Sequence, residues 1–252
     1  MSSVEILKPI VLKWCEKHNI PRDHGYDHFC KVYEWAKMAT LENCNNDERD
    51  CIELAAFLHD VDDPKIVTTE NYANARYFLA HVGKSSTFCE TVIHMISLVS
   101  ASKNGNNLLK EIKEENGLLT GSKTHLRLVP RDCDRIEGLD IGRCIAYSER
   151  IGNPLWCPSD PICVTLSDLK TEISKRSMAE YKGKSKSVLG HFFDKLFHIK
   201  CSSGDDYLVD QFADGMQELY NFYIQVSQVL ILLQDPSKGL TLKKPDDRTE
   251  KD

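Results

Sequence analysis

Asp47-Glu-Arg-Asp-Cys-Ile52-Glu-Leu54-Ala55-Ala56-Phe57-Leu58-His59-Asp60-Val-Asp-Asp63-Pro-Lys65 is the stretch that decides how the rest of the chain is read. Ile52, Ala55, Ala56 and His59 recur at i, i+3, i+4 and i+7, one face of an α-helix. Leu54, Phe57 and Leu58 make the remaining faces apolar too, which predicts a helix surrounded by protein. His59 then points into the core at the end of the stripe, with an ionised Asp60 directly after it. Burying such a pair without a partner is expensive. A metal cation resolves the conflict, because its ligands are a neutral imidazole and an ionised carboxylate. The dipeptide alone is weak evidence. A hydrogen-bonded core histidine beside a capping aspartate explains it as well, until further ligands appear.

Helical periodicity continues on both sides. Ser2 or Ser3 caps a first helix running to about His18, and Pro9 inside it implies a kink or a later start. A second helix follows from Asp27, with His28, Val32, Trp35, Ala36 and Ala39 on one stripe, so a second histidine lies on a buried face. Residues 69–82 and 87–99 predict a fourth and a fifth helix. Helical character returns at Asp132 and runs to Arg150, blurred by Gly138 and Gly142. A short helix near 167–175 and an amphipathic run over 188–199 precede a long closing helix, 205–234. There Met216, Leu219, Tyr223, Val226, Leu230 and Leu233 form a coiled-coil-like seam, suited to docking or to a homodimer. No alternating strand pattern stands out. The expected fold is all-α, a single helical bundle over 1–234 with a long C-terminal helix. It carries a mobile excursion at about 101–125 and a long loop at about 152–187. A polar tail, 235–252, is expected to be disordered.

The totals narrow the function. The chain has 252 residues, 41% hydrophobic and 28% charged, with a formal net charge of −6. That balance argues against a nucleic-acid surface. No run approaches the ~20 apolar residues of a membrane span, and the first residues lack the basic and apolar regions of a secretory leader. Ten cysteines lie scattered with no Cys-x-x-Cys among them. They read as reduced thiols in the cytoplasm.

Three segments place metal-competent groups at core-facing helical positions: Asp27-His28, His59-Asp60, and Arg131-Asp132-Cys133-Asp134-Arg135. Two imidazoles and two carboxylates converging on one ion suit Mn, Mg, Co, Ni or Fe better than structural zinc. Water and a substrate oxygen would fill the open positions. On spacing alone, Asp132 and Asp134 are both candidates for the last ligand.

The order His…His-Asp…Asp on successive helices resembles the HD-domain metal-dependent phosphohydrolases. The finer match is to small bacterial HD proteins of the YedJ/YpgQ type, described as nucleotide pyrophosphohydrolases. Four stretches carry it: His24-Gly-Tyr-Asp27-His28-x-x-Lys31-Val32, Leu58-His59-Asp60-Val-Asp-Asp63-Pro-Lys65, Asp132-Cys-Asp134-Arg135-Ile-Glu-Gly-Leu-Asp-Ile-Gly142-Arg143, and His191-Phe-Phe-Asp-Lys195-Leu196. The sequence departs from that pattern at Lys31, Cys133 and Glu137, and 102–124 has no counterpart in it.

The resemblance implies one divalent ion held by His28, His59, Asp60 and Asp134. The substrate is then a small phosphate ester or anhydride, in particular a nucleotide. Asp63 would orient or deprotonate the attacking water, and Lys65 would hold a phosphate oxygen. His24, Arg135 and Arg143 are further substrate contacts. Two alternatives stand beside this reading. One is a catalytically silent module that binds a nucleotide or a partner. The other is a dinuclear phosphodiesterase or oxygenase, in which His94 and His125 join the ligand set.

Overall fold

The computed structural model describes residues 2–21, 24–39, 41, 43–67, 69–105, 112, 117–176 and 185–234. Its helices are α1 (Ser3–Lys17), α2 (Tyr26–Met38), α3 (Asn46–Leu58), α4 (Ala73–Leu79), α5 (Ser86–Val99), α6 (Ala101–Asn104), α7 (Val129–Glu137), α8 (Ile141–Arg150), α9 (Leu166–Ser174), α10 (Val188–Asp194) and α11 (Asp206–Gln234). Tighter 3-10 turns cover Gly121–Leu128 and Leu196–His198. No strand occurs among the described residues. Two compact units emerge: Met1–Asn153 with Ile199–Gly215, and Pro154–His198 with the chain from Met216 onward.

In the first unit α3 is the centre. A capping box starts it: the Asn45 side chain accepts the Glu48 N–H at 2.9 Å, and the Glu48 carboxylate accepts the Asn45 N–H at 2.8 Å. Leu54, Ala55, Ala56, Phe57 and Leu58 are all fully buried, so no face of its second half meets water. The helix packs against α1, α2, α5 and α7. Each large apolar side chain buried this way contributes ~1.5–3 kcal/mol. Phe57 meets Phe29 and Tyr33 of α2 edge-on.

Local chemistry sets where the other elements begin. Gly25 caps α2, and a Cβ there would stand 2.9 Å from the Pro21 carbonyl oxygen. Only glycine allows the approach that brings His28 into the first turn of α2. In α1 the exposed Pro9 lies within a helix that starts at Ser3. Ser3 Oγ donates to Asp50 Oδ2 at 2.5 Å, tying the start of α1 to α3.

The expected 69–82 helix is shorter, Ala73–Leu79. Asp62 is the reason. Its carboxylate accepts from the Thr69 hydroxyl at 2.5 Å and from the N–H groups of Asn74 and Ala75 at 3.0 and 2.8 Å. Asn71 and Tyr72 meanwhile sit at φ of 54° and 56°. The continuous 132–150 pattern is two helices, because the Asp140 side chain accepts the Arg143 N–H and starts α8 afresh.

Part of the 101–125 excursion is anchored. Leu119 is buried, and Arg127 donates to the carbonyls of Leu119 and Leu118 at 3.1 and 2.8 Å. Residues 106–111 and 113–116 lie outside the described residues, as do 177–184 of the long loop and the tail 235–252.

In the second unit, Phe193 and Phe197 pack on Tyr223, and Phe197 also on Tyr220. Met216, Leu219 and Tyr223 of the predicted seam are buried. A capping box at Thr165 starts α9 inside the 152–187 loop.

Candidate metal centre

Three helices bring four side chains to one point. His28 comes from the first turn of α2, His59 and Asp60 from the end of α3, and Asp134 from α7. The two Nε2 atoms are 3.0 Å apart. Asp60 Oδ2 lies 3.7 Å from His28 Nε2 and 3.4 Å from His59 Nε2. Asp134 Oδ1 lies 3.4 Å and 3.5 Å from the same two nitrogens. Among the described residues, His28, His59 and Asp60 form the one group of three or more such side chains whose ligand atoms fall within 4.8 Å of one another. Asp134 closes it from the side of α7.

Hydrogen bonds orient the rings. His59 Nδ1 donates to the Ala56 carbonyl at 2.8 Å, which turns Nε2 toward the cluster. His28 Nδ1 is buried with no hydrogen-bond partner. Burial by itself would raise the carboxyls of Asp60 and Asp134. His59 outweighs it for Asp60, with His24 and His28 adding. For Asp134 the hydrogen bonds to His28 and His59 do so, and both acids stay well below the usual carboxylate range. Burial also disfavours charge on His59, but the two carboxylates push its pKa up to about 10. Burial pulls His28 down to about 4, reinforced by Arg143 and His59.

Two ionised carboxylates thus face two imidazole nitrogens across one small space. A divalent cation fits the position between them. It satisfies two nitrogen lone pairs and two carboxylates at once, and the mixed N/O set matches Mn, Mg, Co, Ni or Fe.

The surroundings are polar and basic. Arg143 Nη2 donates to His28 Nε2 at 3.2 Å, so a guanidinium borders the cluster. His24 Nδ1 lies 3.4 Å from Asp60 Oδ2. One turn beyond His28 and Asp134, Lys31 and the buried Glu137 pair at 3.1 Å and join α2 to α7. That interhelix pair had no local signature, since its members are far apart in sequence.

The other expected site residues are engaged as follows. Asp132 is fully buried, and its carboxylate accepts the N–H groups of Ser202 and Ser203 at 2.8 and 2.6 Å and the Cys201 thiol at 3.1 Å. It holds the 201–203 backbone, while Asp134 meets the imidazoles. Arg135 is buried and donates to the carbonyls of Gly105 and Lys200. Asp63 Oδ1 accepts the Lys65 N–H at 2.8 Å, closing the turn after α3, and the Lys65 side chain is exposed. His94 Nδ1 accepts from Arg127 at 3.1 Å, and neither His94 nor His125 joins the cluster.

No protein-family model matches the sequence. The uncharacterized protein L803 of Acanthamoeba polyphaga mimivirus is 31% identical over 237 residues, covering 85% of this chain and 92% of that one. Among solved structures, a Lactobacillus plantarum protein superposes with a TM-score of 0.60 at 20% identity, covering 91% of this chain and 97% of its own. An HD-superfamily hydrolase from Bacillus thuringiensis gives a TM-score of 0.60 at 18% identity, covering 90% and 96%. At such identities the likeness shows the all-α HD fold.

Proposed function

Because the chain belongs to one family with the mimiviral protein L803 and has the fold of an HD-superfamily hydrolase, we propose that it is a divalent-metal-dependent phosphohydrolase. The observation that carries this reading is the meeting of His28, His59, Asp60 and Asp134 with the Arg143 guanidinium at their edge. A cation site next to a fixed positive group favours a polyanionic substrate. The divalent ion, when bound, supplies Lewis acidity and a nucleophilic water at neutral pH.

The chain's own groups do the rest. Arg143 takes a phosphate oxygen and neutralises charge that develops on it. His24 steadies Asp60 through its ring nitrogen. Asp63 orients the attacking water and accepts its proton, and Lys65 holds an outer phosphate oxygen. Arg135, engaged with two backbone carbonyls, is left a structural task. The substrate is a nucleotide, as in the small bacterial HD proteins that the sequence resembles, and one ion per chain is expected in the cytoplasmic enzyme.

A screen of nucleoside mono-, di- and triphosphates with Mn, Mg, Co, Ni and Fe, run beside His59→Ala and Asp60→Ala, tests this. Turnover by the unaltered protein and its loss in both variants is the expected result. Equal activity in all three proteins ends the proposal, and tight nucleotide binding without turnover identifies a silent binding module. Two bound ions per chain would promote the dinuclear alternative.

A further inference from the structure

The face that α8 turns to the site reaches beyond the phosphate contact. Cys144 and Ser148 are the buried residues of this helix. On the neighbouring face Arg143, Tyr147 and Arg150 follow at i, i+4 and i+7, within one stripe of about two turns. Two independent contacts tie that stripe to the cluster. Arg143 Nη2 reaches His28 Nε2 at 3.2 Å. The Tyr147 ring lies edge-on to His24, with centroids 5.9 Å apart, and His24 in turn meets Asp60 at 3.4 Å. Arg150 stands over the Tyr147 ring, its guanidinium carbon 5.3 Å from the centroid. Tyr147 is partly exposed and Arg150 exposed.

A phosphate needs only the first of these residues. A partly exposed aromatic ring one helical turn farther on, steadied by an imidazole and a guanidinium, presents a flat apolar surface about 6 Å along the helix from the phosphate contact. Planar aromatic groups and guanidinium planes are the usual partners of an unstacked nucleobase.

We propose that Tyr147, with Arg150, is the nucleobase platform of this site, so that a nucleotide lies along α8 with its phosphates toward Arg143 and its base on the tyrosine ring. The placement of the phosphate end rests on the phosphohydrolase reading above. The platform separates nucleotides from base-free polyphosphates of equal charge, because only the former gain a stacking partner.

Equilibrium binding to the Mn-loaded protein tests it without turnover. The probes are purine and pyrimidine nucleoside 5′-(β,γ-imido)triphosphates and inorganic tripolyphosphate. The unaltered protein is expected to bind the nucleoside analogues about tenfold more tightly than tripolyphosphate, at the low end of base–aromatic stacking. Tyr147→Leu should erase that difference while leaving tripolyphosphate binding within about twofold, and Tyr147→Phe, which keeps the ring, should preserve it. Equal affinity for both probe classes in the unaltered protein, or a preference that survives Tyr147→Leu, overturns the platform. Failure of the hydrolase reading looks different: the preference and its loss in Tyr147→Leu persist, but no nucleotide is turned over.

Discussion

Two aspartates two residues apart on α7 have opposite surroundings. Asp132 faces donors only: two backbone N–H groups and a thiol point at its carboxylate. It is fully satisfied by the protein, and its task is to hold the 201–203 backbone against α7. Asp134 faces two imidazole nitrogens and lies across them from another carboxylate, and such a set is satisfied only with a cation between its members. The same side chain is therefore a structural anchor in one place and a potential ligand in the other. The difference lies in whether its neighbours bring hydrogens or lone pairs.

The sharpest way to break this contrast is to exchange the losses. Asp134→Ala is expected to lower hydrolysis by on the order of a thousandfold, ~4 kcal/mol in the barrier, while the metal-free protein stays folded. Asp132→Ala should do the reverse. Removing it orphans buried N–H groups and takes a negative neighbour from Arg135, so urea unfolding should show a loss of about 3 kcal/mol. Activity per folded molecule should change only a few fold. If Asp132→Ala abolished activity at unchanged stability, the two roles would be the wrong way round.

A smaller effect follows from the charge on His59. The His59 pKa is raised to about 10 from an ordinary 6.5. A raised folded-state pKa contributes stability that is present in full below 6.5 and is lost as the pH climbs through about 10. Chelator-treated protein should therefore lose urea resistance between these limits. Protein loaded with Mn should lose less across the same window, because the ion takes over the role of the positive charge on His59. Urea midpoints for both forms at intervals from pH 6 to 10 give the comparison. A metal-free form that grew more stable as the pH rose would refute the protonated His59.

The smallest expected effects lie at the rim. Arg143→Gln should raise KM about tenfold, as the loss of one charge-assisted contact implies. Metal affinity should be unchanged or slightly higher, since His28 Nε2 then loses a competing donor. Lys65→Ala, at an exposed position, should raise KM by about two- to fivefold, in keeping with a solvent-screened charge. Steady-state kinetics with parallel metal titrations separate the two.

Much of the centre was legible along the chain. Apolar stripes placed His28 and His59 on buried helix faces, and no soluble fold leaves His59 next to an ionised Asp60 there without compensation. The identity of the last carboxylate was not legible in that way. Every residue of α7 except Asp134 is buried, so helical phase does not single out Asp132 or Asp134. Arg135 and Arg143 looked alike as candidates too, and one meets backbone carbonyls while the other meets the cluster. Asp62 has no signature of its own in the sequence, yet it organises the turn before α4.

What the amino-acid order determined by itself was periodic and local: the helices, their caps, and the burial of two histidines that demanded a partner. The tertiary structure alone decided which partners arrived. Asp134, Arg143 and the Lys31–Glu137 pair act across separate helices, and hydrogen-bond geometry over such distances depends on how helices pack. A one-dimensional pattern carries the period of a face and says nothing of the groups brought against it.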